Sequence, residues 1–258
     1  MPEVIKISNA QSVSMSDDWY ELTDPNHFWI QWRFNVVINQ LSPFLTKESR
    51  ILEIGCGNGL VMKQFADNLG RTIEGCDLNT FAINNLVKDL SGTVYLYDIY
   101  DRNPDLIGQY DVIILLDVIE HIENDSAFLA VALEHLKTDG ILVVSVPAHQ
   151  WLFSNFDLQV GHKRRYSLKE INRLFHELDL VDIHSNYWGG GLFPLVLIRK
   201  FYLIFNKKNM IRKGFKPPHA LFNKVALIMM KLEIKLFQKP IFGSSVIAIG
   251  RKNSPILT

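Results

Sequence analysis

The 258-residue chain predicts an α/β protein with a doubly wound, mostly parallel sheet of seven strands. Three features carry this expectation. Short apolar runs alternate with helical-period segments between residues 50 and 146. The first run ends in a glycine-rich turn. Two runs, 111–116 and 140–146, are apolar almost throughout, as strands buried on both faces must be. Strands alternating with helices of ten to fifteen residues give βαβ units and a parallel sheet.

The elements follow in order. Residues 1–25 read as a tail, polar and Ser-rich over 1–18, and loosely held. Phe28, Trp29, Trp32, Val36 and Ile38 recur at helical spacing and place a helix over 26–45, broken by Pro43. Strands are expected at 50–54, 72–76, 93–97, 111–116 and 140–146, and helices at 60–69, 80–90 and 125–136. A helix over 167–178 opens on Ser167, with Glu170 completing a capping box. Strands at 180–187 and 245–251 close the sheet. Residues 26–188 and 244–258 then form one domain, and 189–243 a helical insert between the last two strands, with apolar basic stretches at 192–207 and 219–238.

Composition narrows the function. With 27 basic and 27 acidic residues the net charge is zero, which argues against a nucleic-acid partner, since such partners need a basic footprint. A 48% hydrophobic content suits a globular core. Two cysteines, Cys56 and Cys76, cannot build a disulfide framework or a Cys-rich zinc site, and no metal site is expected. No signal peptide or 18-residue apolar window is visible, so a cytoplasmic protein is expected. The charge is nevertheless polarised. Residues 98–139 hold ten acids against Arg102 and Lys137, whereas 189–243 hold eleven bases against one acid, Glu233.

The turn reads Glu53-Ile-Gly55-Cys56-Gly57-Asn58-Gly59. Glycines there permit unusual backbone angles and close approach of a ligand to the main chain. A dinucleotide fingerprint needs a glycine at 60, where Leu60 stands, which speaks against a nicotinamide dehydrogenase. Asp77 lies 22 residues after Gly55, at a strand end where carboxylates meet ribose hydroxyls in doubly wound folds. Asp98 and Asp117 end the next two strands. Ligands in such sheets bind beyond the carboxyl ends of the strands, so these groups converge on one crevice.

This set resembles the class I S-adenosylmethionine (SAM) dependent methyltransferases. Residues 53–59 are similar to that family's first motif, E/D-x-G-x-G-x-G. Asp111–Ile122 resembles its fourth strand with a leucine-glutamate-histidine ending, and Gly140–Pro147 its fifth. The resemblance implies a Rossmann-like sheet and SAM as cofactor. By it, Glu53, Gly55, Cys56, Gly57, Asn58 and Gly59 hold the methionine part, and Asp77 with Leu78 the ribose. Asp98 and Ile99 meet the adenine, and main chain near Asp117 the amino-acid end. Trp29 and Arg33, four apart on one helix face, close the site from the N-terminal side. A bacterial subgroup (type 11/12-like) shares the block Asp157…Gly161-His162-Lys163-Arg164-Arg165-Tyr166 and the aromatic helix at His27–Arg33.

Methyl transfer from a sulfonium is an in-line displacement that mainly needs alignment. A general base helps when the acceptor is a hydroxyl. His121, His149 and His162 lie near the expected cleft mouth and are the candidate bases. Asp157, Arg164, Arg165 and Tyr166 are candidates for acceptor binding, with an internal Arg–Asp clamp as the alternative. The turn Asp117-Val-Ile-Glu120 replaces the Asn/Asp-Pro-Pro-Tyr of base-amino methyltransferases. The expected acceptor is therefore a small molecule, lipid- or glycan-linked, and not nucleic acid. The insert is expected to be a lid, a dimer element or a contact to an anionic membrane surface, where a wide apolar helix face with a lysine stripe lies well. A SAM-binding or membrane-bound scaffold without catalysis is the remaining alternative.

Overall fold

The computed structural model describes residues 2–10, 20, 24–191, 193, 194, 197, 198, 200, 219–236 and 240–254. The strands are β1 (Glu3–Lys6), β2 (Ile51–Ile54), β3 (Glu74–Asp77), β4 (Thr93–Leu96), β5 (Tyr110–Leu116), β6 (Leu136–Pro147), β7 (Leu180–Trp188) and β8 (Ser245–Lys252). The helices are α1 (Phe28–Leu41), α2 (Leu60–Leu69), α3 (Thr80–Asn84), α4 (Asp125–His135), α5 (Asn155–Gln159), α6 (Leu168–Glu177) and α7 (Ala220–Leu236).

The strands order as β1-β4-β3-β2-β5-β6-β8-β7 in one sheet. All pairings are parallel except those of β8, which runs antiparallel to both β6 and β7. Successive residues of the central strands feed opposite cores. Ile113 and Leu142 join Leu129 of α4 and Ile171 of α6 on one face. Ile114 and Val143 join Trp32 of α1 and Phe65 of α2 on the other. This two-sided burial is why β5 and β6 read as unbroken apolar runs.

The described structure departs from the sequence reading in two places. There are eight strands rather than seven: Glu3–Lys6, expected to be part of a loose tail, pair in parallel with Thr93–Leu96 at the sheet edge. The helix expected over 80–90 stops at Asn84. The chain then turns back under the glycine loop, where Val87 N donates to Asn58 O at 3.0 Å and Leu90 packs against Gly59. Most of the expected 192–207 helix lies outside the described residues.

The insert helix is held by its single acid. Glu233 is buried and accepts from three successive amides, those of Gly189 (3.0 Å), Gly190 (3.1 Å) and Gly191 (2.5 Å). Such a run of N–H groups forms an anion-binding concavity. Asn223 ties the same helix to the start of α1, accepting from Phe28 N at 2.8 Å and donating to Asn26 O at 3.0 Å.

Candidate active site

The candidate residues gather at the C-terminal ends of β2–β6. Gly55 and Cys56 donate to Cys76 O at 2.8 and 3.1 Å, which fastens the start of the loop to β3. Gly55, Gly57 and Gly59 all have positive φ. At all three space is also limiting: a Cβ on Gly55 would lie 2.5 Å from Val118 Cγ2, one on Gly57 2.7 Å from Tyr20 Cε1 and one on Gly59 2.5 Å from Leu90 Cδ2.

Asp77 closes the loop from the next strand. Its Oδ2 accepts from Gly57 N at 2.7 Å and its Oδ1 from Asn79 N at 2.8 Å. A third backbone donor, Leu78, also meets this carboxylate, whose four lone-pair sites are then not all filled. Burial raises the Asp77 pKa, and these backbone hydrogen bonds oppose the rise. Glu53, the last acid before the loop, is 3% exposed, and its Oε2 has no hydrogen-bond partner. Burial pushes its pKa up to about 8, against the pull of Arg33 and with the help of Asp77. Cys56 is buried and burial raises its thiol.

Beyond β4, Asp98 Oδ1 accepts from Tyr100 N at 3.0 Å and so caps the turn that holds the buried Ile99. Asp98 N donates to Ser8 Oγ at 2.9 Å, which brings the segment after β1 to the site edge. Arg33 Nη1 meets Asp117 Oδ2 at 2.5 Å. The Trp29 ring lies tilted against that of Trp188, 4.6 Å between centroids. Of the two residues expected to close the site together, Arg33 pairs at the strand ends and Trp29 contacts Trp32 and Trp188 in an aromatic cluster.

The three histidines fall into two places. His149 follows β6 at φ +64°, stacks on Tyr187 at 4.8 Å and hydrogen-bonds the Gly243 backbone. Its Nε2 has no hydrogen-bond partner, and burial lowers its pKa. His121 and His162 instead pack edge to face at 4.8 Å. Burial and the neighbouring His162 lower the His121 pKa to about 4.

The basic block is turned inward. Asp157, fully buried, meets His162 Nδ1 at 3.0 Å and Arg165 Nε at 2.7 Å through one oxygen, and Ser154 N at 2.8 Å through the other. Arg164 pairs with Asp125 at 3.2 Å and donates to Glu123 O at 2.7 Å. Tyr166 donates to Asp125 at 2.7 Å. Four residues considered for acceptor binding are therefore engaged with one another and with Asp125, in the arrangement of the internal clamp.

Sequence reasoning missed two participants. Tyr20 lies in what reads as a tail, and nothing in its local pattern marks it. Glu120 stands inside the quoted leucine-glutamate-histidine ending but received no role. It is fully buried, and neither carboxylate oxygen has a hydrogen-bond partner. Burial raises its pKa well above the carboxylate range, and Asp117 adds to the rise.

The groups at the loop fit SAM. Three glycines at positive φ in seven residues leave the main chain of the loop without side chains of its own to screen it from a ligand. The buried Glu53 carboxyl has one oxygen without a hydrogen-bond partner, and the ammonium of SAM would supply a donor to it. The sheet order, the loop and the strand-end acids together define a class I SAM-dependent methyltransferase. The family model described as a methyltransferase domain matches residues 31–185, and the chain belongs to that family.

Relatives agree at lower resolution. A ubiquinone biosynthesis O-methyltransferase of Rickettsia typhi is 33% identical over 101 residues, 37% of this chain and 40% of that protein. Its namesake from Dinoroseobacter shibae is 28% identical over 153 residues, 53% of this chain and 61% of that one. The chain thus spans between two fifths and about three fifths of these curated relatives. Among solved structures, a SAM-dependent methyltransferase from Archaeoglobus fulgidus matches with a TM-score of 0.54 at 17% identity, covering 87% of this chain and 98% of that one. A Haemonchus contortus phosphoethanolamine-type N-methyltransferase with bound S-adenosylhomocysteine gives 0.57 at 17% identity, covering 86% and 52%. At such identities the structural matches speak for the fold.

Proposed function

We propose that this protein transfers a methyl group from SAM to a hydroxyl of a small, lipid-linked acceptor at a membrane surface. The observation that carries the cofactor half is the buried Glu53 carboxyl, with Oε2 free of any hydrogen bond, beside the positive-φ glycines of the Gly55–Gly59 loop and Asp77. Glu53 and the loop hold the methionine end, Asp77 the ribose, and Ile99 with Asp98 the adenine edge. SAM supplies an electrophilic methyl group with a neutral leaving group. The protein's part is alignment and exclusion of water.

The hydroxyl acceptor is supported by the curated relatives, which are named O-methyltransferases. His149 is the base this reading favours. Its bond to the Gly243 backbone fixes the ring, its Nε2 is left without a partner, and its lowered pKa keeps the ring neutral near pH 7. The lipid side rests on α7. Leu221, Val225, Ile228 and Leu232 recur at helical spacing and are exposed, while Ala226, Met230 and Glu233 face inward. Lys224, Lys231 and Lys235 are exposed along one edge of the apolar stripe. No helix among the described residues is long and apolar enough to cross a membrane, so contact would lie in the interface.

The test is transfer of label from methyl-tritiated SAM to catechols and phenols, with and without an isoprenoid tail, in vesicles containing anionic lipid. Label in the methyl ether of the tailed acceptor is expected. Label only on amine acceptors would contradict the hydroxyl assignment, and equal rates on tailed and tailless acceptors would contradict the lipid assignment.

A further inference from the structure

Beyond β5, a short helical turn (Ile119–His121) places Glu120 and His121 side by side. The loop after α5 brings His162 onto them, and Lys163 N donates to Glu120 O at 2.8 Å, locking the two segments together. One donor atom from each of the three side chains lies within 4.8 Å of the others. The Glu120 carboxylate is fully buried without a hydrogen bond to either oxygen. His162 Nε2 faces it at 3.8 Å, too far for a hydrogen bond. A buried acid of this kind costs free energy unless something else satisfies it.

The surroundings are those of a metal ligand. His162 Nδ1 bonds to Asp157 at 3.0 Å, which leaves Nε2 directed at Glu120. Asp157 is held in turn by Arg165 and Ser154. A carboxylate behind a histidine fixes its tautomer and raises its basicity, the usual outer support of a metal-bound imidazole. His121 is anchored through the Gly161 backbone. Two imidazoles and one carboxylate suit first-row transition ions, and three protein ligands leave positions open. Two cysteines exclude a Cys-rich site and no metal is expected from the sequence; His162 is brought in from 41 residues away.

We infer that Glu120, His121 and His162 bind one divalent transition-metal ion of the Zn2+ or Mn2+ type. The inference stands apart from the cofactor assignment, because metal binding can be read without SAM.

The test is titration of chelator-treated protein with Co2+, followed by its visible absorption, and with Zn2+ by calorimetry. Wild type is expected to bind one ion per chain. Glu120→Gln and His162→Gln are each expected to weaken binding at least tenfold while circular dichroism stays as in wild type. No saturable Co2+ or Zn2+ binding to wild type would overturn the inference. So would wild-type metal affinity in both variants, since the ion would then sit elsewhere. Should Glu120→Gln fail to fold, His121→Gln and His162→Gln carry the same reading.

Discussion

The Arg33 guanidinium meets the Asp117 carboxylate at 2.5 Å and ties the N-terminal helix α1 to the end of β5. Asp117 also holds φ +56°, a backbone angle that costs a non-glycine residue free energy and persists only when neighbours enforce it. Its amide donates to Ser145 O at 2.8 Å. Arg33 is thus both a buried structural partner and the charge that offsets Glu53, Asp117 and Glu120.

Replacing Arg33 with Met is expected to destabilise the protein by about 1–3 kcal/mol, less than for a fully buried pair because the Asp117 side chain is 27% exposed. Urea unfolding measures this. SAM affinity should fall in the same variant, read by calorimetry on the folded fraction.

Two carboxylates should give opposite pH dependences. Asp157 has its pKa lowered from 3.8 to about 2: burial alone would raise it, but the hydrogen bonds and charges of His162 and Arg165 prevail. Its stabilising contribution is present above pH 3.8 and is lost as pH falls towards 2. Glu53, raised from 4.5 to about 8, keeps its proton when folded and loses it when unfolded in that interval. Stability without ligand should therefore decline as pH rises from 4.5 towards 8. Denaturation midpoints across pH, with Asp157→Asn and Glu53→Gln removing one slope each, check both signs.

Glu233→Ala should release the insert helix, since it leaves three amides without an acceptor. A loss of about 2–4 kcal/mol of local stability is expected. Hydrogen exchange over 219–236 should rise while exchange in β5 and β6 stays slow. Uniform exchange throughout would show that α7 is held by other contacts.

The exposed stripe on α7 predicts association with lipid. Wild-type protein should sediment with vesicles containing anionic lipid and much less with neutral ones. Serine at Leu221, Val225 and Ile228 should abolish sedimentation without altering SAM affinity. Equal sedimentation of wild type and triple variant would place the contact elsewhere.

Much of the fold is legible in the sequence because local and global signals coincide. Helix 60–69 matches residue for residue, and Ser167 with Glu170 forms the capping box its spacing implies. The strand-end acids are legible because they stand at the ends of recognisable apolar runs. What escapes is decided by tertiary contact. Four residues, Glu3–Lys6, become a strand only because the β4 edge is free to pair. Leu90 leaves the expected helix to fill the space beneath Gly59. Tyr20 reaches the glycine loop from a segment with no pattern of its own. Asp157, Arg164, Arg165 and Tyr166 read equally well as acceptor ligands or as a clamp, and only the geometry shows them bonded inward. The charge asymmetry also resolves: the one acid of the basic insert is the group that anchors it.

The central claim is that SAM lies against the Gly55–Gly59 loop with its ribose on Asp77. Calorimetric titration of wild type and Asp77→Ala with SAM and with NADH tests it most directly. One SAM bound per chain, at least tenfold weaker binding in the variant (about 1.4 kcal/mol) and no binding of NADH are expected. SAM affinity unchanged by the substitution, or binding of NADH in place of SAM, would contradict it.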